Sequence, residues 1–107
     1  MAVAFASETA FTAIASETRR KLLDAIRGSE RTVTELVAIA KVSQPAVSQH
    51  LRVLKDAGLV TERARGRFRF YRLKAEPLAE VMDWVRAYES FWTDRLATLG
   101  RVLDEEP

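Results

Sequence analysis

The residues best suited to chemistry lie on one face of a helix predicted between Ser43 and Ala57. At 100° per residue, Val47, Leu51 and Leu54 share the side that turns towards a core. The remaining side carries small, polar and basic side chains and no acidic one in its first turns: Gln44, Pro45, Ser48, Gln49, Arg52 and Lys55. Glutamine can form paired hydrogen bonds with an adenine edge, and serine can donate or accept. This face, together with Ser43 at the start of the helix, can therefore contact DNA, and the alternative is a merely solvated polar surface.

A second group of chemically capable residues surrounds Gly66. Two strand-like runs, 59–65 and 67–73, predict a β-hairpin whose tip is basic. Its arginines are Arg63, Arg65, Arg67 and Arg69. Guanidinium groups on such a hairpin can bind phosphates or enter a narrow minor groove. The alternative is an arginine-rich edge that prevents aggregation between sheets. We favour contact with nucleic acid, with Arg65 and Arg67 as the strongest candidates.

Histidine and cysteine chemistry is almost absent. The chain has no cysteine, which excludes disulfides, thiol redox switches and thiolate metal sites. His50, the single histidine, is one step from the core face, so we expect packing beside Leu51 and Leu54, with a phosphate contact as the alternative. The chain has no glycine-rich phosphate loop, and one partly packed histidine cannot build a Ser-His-Asp set. We therefore expect no catalytic residues and no enzymatic activity.

The charge is unevenly distributed along the 107 residues. The total is only +2, but residues 1–40 sum to zero, residues 41–72 to +6 and residues 73–107 to −4. A local basic block is what a polyanion partner requires. Apolar residues make up 48 % and charged residues 30 %, an ordinary balance for one small globular domain.

Helices are predicted on both sides of these groups. The segment from Phe5 to about Arg27 has helical periodicity with one interruption, where residues 16–19 can cap a second helix that Gly28 closes. Thr34 is a plausible cap for a short apolar helix over residues 35–40. Ser43 can cap the next helix, and the few residues between the two have the spacing of a helix-turn-helix. A final helix begins at Pro77 and extends to about Leu103, roughly 40 Å at 1.5 Å per residue.

The final helix carries a long apolar stripe that one small domain cannot cover. Four of the nine aromatic residues of the chain fall within nine positions. The stripe includes Trp84, Tyr88, Phe91, Trp92, Leu96 and Leu99. We interpret it as core or dimer interface. An aromatic pocket for a small apolar effector between two subunits is the alternative.

Several of these segments together resemble a known family. Residues 43–51, residues 54–60, and Gly66 with residues 71–73 resemble the ArsR-type bacterial repressors, and residues 15–19 resemble the stretch that opens their second helix. The resemblance covers roughly residues 8–103. It implies a mainly α winged helix-turn-helix with a small β-hairpin, in the order α-α-α-α-β-β-α. It also implies that Gln44, Ser48 and Gln49 point into the major groove.

The resemblance implies a dimer built on the first and last helices, which would add Phe5, Phe11 and Ile14 to the interface. Metal sensors of this type use cysteine pairs, or histidine and carboxylate clusters on the last helix. This chain lacks both, and its carboxylates alone would be poor ligands for a soft or borderline metal. We therefore expect neither a metal nor another cofactor.

The sequence thus predicts one winged helix-turn-helix domain over residues 1–107. Its parts would be a helix-turn-helix at about 34–57, a wing at about 59–73 and a dimerisation helix at about 77–103. We expect a homodimeric repressor bound to a palindromic site on double-stranded DNA. The apolar runs are too short for a membrane helix, and residues 1–5 do not form a signal peptide, so we expect a cytoplasmic, DNA-associated protein. The alternative function is a winged helix that docks an acidic protein through its basic wing.

Overall fold

The computed structural model describes residues 9–105 and has the predicted winged-helix architecture. Over this range the helices and strands follow one another in nine elements. These are α1 Ala10–Ala13, α2 Glu17–Ile26, β1 Arg31–Thr32, α3 Val33–Ala40, α4 Gln44–Asp56, β2 Val60–Arg65, β3 Phe68–Leu73, α5 Leu78–Arg86 and α6 Glu89–Glu105.

The start of α4 forms as the sequence predicts. Ser43 has an extended backbone, and its Oγ accepts a hydrogen bond from the backbone N–H of Ala46 at 3.2 Å. Pro45 occupies the first turn, where its missing N–H leaves no partner unsatisfied. At the other end, Gly58 adopts φ +78°, a left-handed conformation that glycine accepts without steric cost. Both predicted ends of this helix, called the recognition helix below because it carries the predicted readout residues, are therefore confirmed.

One of two predicted helix boundaries is wrong. The cap of α3 is Thr32, not Thr34: its hydroxyl accepts from the Glu35 N–H, and the Glu35 carboxylate accepts from the Thr32 N–H at 2.8 Å. Such a capping box satisfies two free N–H groups at once. The predicted end of α2 is confirmed, because α2 ends at Ile26 with Arg27 as its cap, directly before Gly28. Gly28 itself does not adopt the left-handed conformation.

The sheet has one strand that the sequence did not predict. Strands β2 and β3 form the expected antiparallel hairpin, from the pair Val60 and Leu73 to the pair Arg65 and Phe68, with Gly66 at φ +63° in the turn. The two-residue strand β1 pairs with β3 on its other side. A strand of two residues has no periodicity to detect, so it is visible only in the folded chain.

The core lies between the helix-turn-helix and the base of the wing. Its fully buried large side chains come from α2, α3, α4 and the start of the hairpin: Leu22, Leu36, Val47, Leu54, Leu59 and Val60. Burial of these side chains supplies most of the driving force for folding. It also orients α4, whose apolar side packs inward and leaves the polar side exposed.

The predicted final helix is divided into two. The backbone N–H of Ala87 bonds to Trp84 O at 3.2 Å, and that of Tyr88 bonds to Val85 O at 2.9 Å. These i→i−3 bonds tighten the chain and interrupt the α-helical ladder. The continuous helix of about 40 Å over residues 77–103 is therefore wrong, and the apolar stripe runs over two helices instead. Within residues 9–105, no helix combines the length and apolar character needed to cross a bilayer.

Candidate nucleic-acid interface

The outer side of α4 brings the predicted readout residues together. Gln44, Ser48 and Gln49 are exposed on it, and so are Pro45 and Arg52. The opposite side is anchored in the core by Val47, Leu51 and Leu54. Ser43 is exposed too, but its hydroxyl oxygen caps the helix, so its contact with DNA remains a prediction.

Glu62 on β2 connects the recognition helix to the wing. Its carboxylate accepts from Lys55 Nζ on α4 at 2.5 Å and from Arg69 Nη1 on β3 at 2.9 Å. The Tyr71 hydroxyl donates to it at 3.4 Å. The Lys55 hydrogen bond is the main reason why the pKa of Glu62 lies below its ordinary value. Glu62 is therefore ionised at neutral pH and holds two of the predicted DNA-binding cations.

Glu30 is a second carboxylate that holds two cations, on the other face of the hairpin. It lies in the loop before β1, and its Oε1 accepts from Arg63 Nε at 3.1 Å and Nη2 at 2.7 Å. Arg72 Nε lies 3.6 Å from its second oxygen. The Arg63 hydrogen bond is the largest cause that lowers the pKa of Glu30. Sequence reasoning missed both carboxylates, and no local pattern joins Glu30 to an arginine 33 positions away.

The remaining basic residues of this region stay unpaired. Among the ion pairs of residues 9–105, none involves Lys41, Arg52, Arg65 or Arg67. Arg65 and Arg67 flank the tip of the wing, where the Arg67 guanidinium lies 5.7 Å from the ring centroid of the exposed Phe68. The structure therefore divides the four wing arginines into two that are held by a carboxylate, Arg63 and Arg69, and two that are unpaired, Arg65 and Arg67.

His50 connects the recognition helix to the helices before it. Its Nδ1 lies 3.3 Å from Arg19 Nη1, and Arg19 also donates to Ala13 O at 2.7 Å. Burial and then the charge of Arg19 lower the pKa of His50, which favours the neutral ring at pH 7. Because arginine can only donate, Nδ1 must accept and the ring proton belongs on Nε2. The side chain is half-buried, and a phosphate contact through Nε2–H remains a prediction.

The predicted dimer residues form an exposed surface. Phe11 packs edge-on against Trp84 with ring centroids 6.0 Å apart, and Trp84 meets Tyr88 at 5.4 Å. Phe91, Trp92, Leu96 and Leu99 continue this exposed surface along α6. Ile14 instead packs partly against the core, and Phe5 lies outside the described residues.

No metal-binding cluster is present in the part of the chain that the structure covers. Among residues 9–105, no three carboxylate or histidine side chains come together as a ligand set. His50, the one imidazole, has its Nδ1 against a guanidinium. A cation bound at that nitrogen would lie beside another positive charge.

The chain is similar to known regulatory proteins along most of its length. Residues 16–62 match the model of the arsR family of bacterial regulatory proteins. The HTH-type transcriptional regulator Rv2034 of Mycobacterium tuberculosis is 37 % identical over 99 residues, which is 92 % of this chain and 90 % of that one. The transcriptional repressor SdpR of Bacillus subtilis is 33 % identical over 75 residues, 70 % of this chain and 83 % of its own.

Solved structures of transcriptional regulators are also similar to this chain. A possible transcriptional regulator for arsenical resistance superposes with a TM-score of 0.63 at 44 % identity, covering 89 % of this chain and 94 % of its own. The ArsR family transcriptional regulator RHA00566 gives a TM-score of 0.67 at 29 % identity, covering 78 % and 86 %. The predicted fold is confirmed by these matches.

Proposed function

We propose, given that this chain belongs to the ArsR family of bacterial regulatory proteins, that it is a metal-independent repressor acting as a homodimer on a palindromic operator. The family consists of DNA-binding transcriptional regulators, so the protein is a regulator and not an enzyme. The observation that carries the proposal is the exposed polar side of α4 beside two unpaired wing-tip arginines.

Each part of this surface has its own task in the proposal. The N-terminal half of α4 enters the major groove, where Gln44, Ser48 and Gln49 contact base edges. Arg65 and Arg67 reach the phosphates or the minor groove beside the site. The bound protein then prevents RNA polymerase from using an overlapping promoter.

A second copy of the chain is the proposed occupant of the apolar surface on α5 and α6. The contact between Phe11 and Trp84 supports a surface that combines the first and last helices. Every described residue of α6 apart from Gly100 is exposed, which leaves Leu96 and Leu99 available to a partner. A two-fold dimer places two α4 helices about one turn of DNA apart, and a palindromic operator follows from that symmetry. A small apolar effector between the aromatic side chains of the two copies is an additional proposal.

Selection of DNA from a random pool tests the operator proposal. We expect a consensus with two inverted half-sites whose centres are about 10 base pairs, or a multiple of this, apart. The measurement is sequencing of the duplexes retained by the full-length protein after several rounds. A consensus with a single half-site would contradict the dimeric operator. Failure to enrich any sequence would instead favour a basic wing that docks an acidic protein.

Metal ions should leave the complex between the protein and its operator intact. We expect zinc, cadmium, nickel and arsenite at stoichiometric amounts to release no protein from the selected operator, because cysteine is absent and only one histidine is present. The measurement is operator affinity with each ion and with a chelator as the matched control. Micromolar zinc binding accompanied by loss of DNA affinity would contradict metal independence.

A further inference from the structure

The positive charge of the DNA-binding region is only partly available to DNA. Residues 41–72 hold eight basic side chains and two acidic ones. Four of the eight are bound by a carboxylate: Lys55 and Arg69 by Glu62, and Arg63 and Arg72 by Glu30. The unpaired arginines lie at the two extremes of the surface, on α4 and at the wing tip. The geometry thus separates cations that are held from cations that are available.

Glu62 lies beside the readout surface itself. With Ser48, Arg52, Lys55 and Tyr71 it lines one depression between α4 and the wing. Its side chain is 19 % exposed, whereas its two cationic partners are 53 % and 65 % exposed. The carboxylate is therefore more buried than the two cations that it binds, of which Lys55 lines the same depression.

Release of these cations would change DNA binding in a defined way. Every phosphate contact made by lysine or arginine releases condensed counterions, so it strengthens binding to any DNA sequence and steepens the salt dependence. Glu62 is largely buried, so its two ion pairs are less screened by solvent and salt than fully exposed pairs. Once the carboxylate is removed, the two cations are free to contact a phosphate. A carboxylate at this position lowers affinity without contacting a base.

We propose that Glu62 is a positioning residue that limits the sequence-independent affinity for DNA by holding Lys55 and Arg69 away from the phosphates. The proposal rests on DNA binding through α4 and the wing. It also revises the sequence-based expectation that Lys55 and Arg69 contact DNA in the native protein. Since a misfolded variant loses affinity, a gain of affinity is a readout that a merely structural role would not produce.

The test replaces Glu62 with Gln, which keeps the shape of the side chain and removes its charge. We expect Glu62→Gln to bind a random duplex about three- to tenfold more tightly at low salt, and to steepen the salt slope by about one for each released cation. Affinity for the selected operator should rise by a similar factor. The measurements are dissociation constants for both duplexes, of equal length, at several salt concentrations.

Asp83→Asn is the matched control. Asp83 Oδ1 on α5 lies 3.5 Å from Arg86 Nη1, so the substitution removes the same charge and also frees an arginine, but on a helix outside the helix-turn-helix and the wing. We expect Asp83→Asn to leave both affinities unchanged. An equal gain from Asp83→Asn would mean that net charge alone acts, and the proposal would be wrong.

Two further variants separate release of cations from simple repulsion of phosphate. In a chain that also carries Lys55→Ala and Arg69→Ala, Glu62→Gln should bring no gain, and a retained gain would overturn the proposal. With Glu62 in place, Lys55→Ala should leave DNA affinity within about twofold. A large loss from Lys55→Ala would contradict the proposal even if the Glu62 variant failed to fold.

Discussion

Replacing Trp92 with Ala should convert the proposed dimer into a folded monomer. Trp92 is 48 % exposed in the single chain, and a second copy would cover the rest of its ring. Loss of a large side chain from a fully buried site costs about 2–5 kcal/mol. Both copies carry the substitution, so the total is at least about 4 kcal/mol, or roughly a thousandfold in the dimer dissociation constant. Leu96→Ala should also raise the dimer dissociation constant.

Sedimentation over a range of concentrations measures this effect. Asp94→Ala is the matched control, because Asp94 lies on the opposite side of α6 from Trp92 and should leave the dimer intact. All variants should keep cooperative thermal unfolding, since the buried core contains no residue of α6. A native protein that is a well-folded monomer at micromolar concentration would contradict the dimer.

Replacing Gln49 should weaken mainly the binding of operator DNA, whereas replacing Arg67 should weaken the binding of any DNA. Gln49 is exposed in the first two turns of α4, where a side chain can reach a base edge. Gln49→Ala should therefore cost about 1–3 kcal/mol on the best operator and much less on random DNA. Arg67 is at the wing tip, where the contact that we propose is mostly with phosphate. Arg67→Ala should weaken binding to both duplexes and reduce the salt slope by about one.

Affinities for operator and random duplexes at several salt concentrations distinguish the effect of Gln49→Ala from that of Arg67→Ala. Arg63→Ala is a useful control for Arg67, because Arg63 is held by Glu30 and has less to contribute to phosphate binding. If Gln49→Ala weakened binding to both duplexes equally, or to neither, the assignment of base readout to this side of α4 would be wrong.

Local patterns were sufficient to predict most of the helix-turn-helix and the hairpin. The cap at Ser43, the proline in the first turn and the glycine after Ala57 act within a few residues of chain. The apolar period of Val47, Leu51 and Leu54 also determines which side of α4 is buried, and so which side is exposed. These features depend on backbone geometry and on the periodicity of one helix, and both are visible in the sequence.

The errors had different causes. Thr32 and Thr34 are both threonines, but only Thr32 has a glutamate three residues later, so its capping box with Glu35 was visible in the sequence and was missed. Pairing of β1 with β3 also keeps the backbone of Thr32 extended, which supports the same boundary in the folded chain. The break at residues 87–88 has no proline or glycine to announce it. An apolar stripe continues through it with an unchanged period.

The sequence by itself determined the family resemblance, the recognition helix, the basic wing and the excess of apolar surface near the C-terminus. Only the tertiary structure decided which cations of the wing are available. Glu30 reaches Arg63 across 33 positions, and Glu62 reaches Lys55 across the junction of helix and hairpin. The physical reason is that propensity and periodicity act over a few residues. An ion pair forms instead between whichever side chains the folded backbone brings within reach of each other.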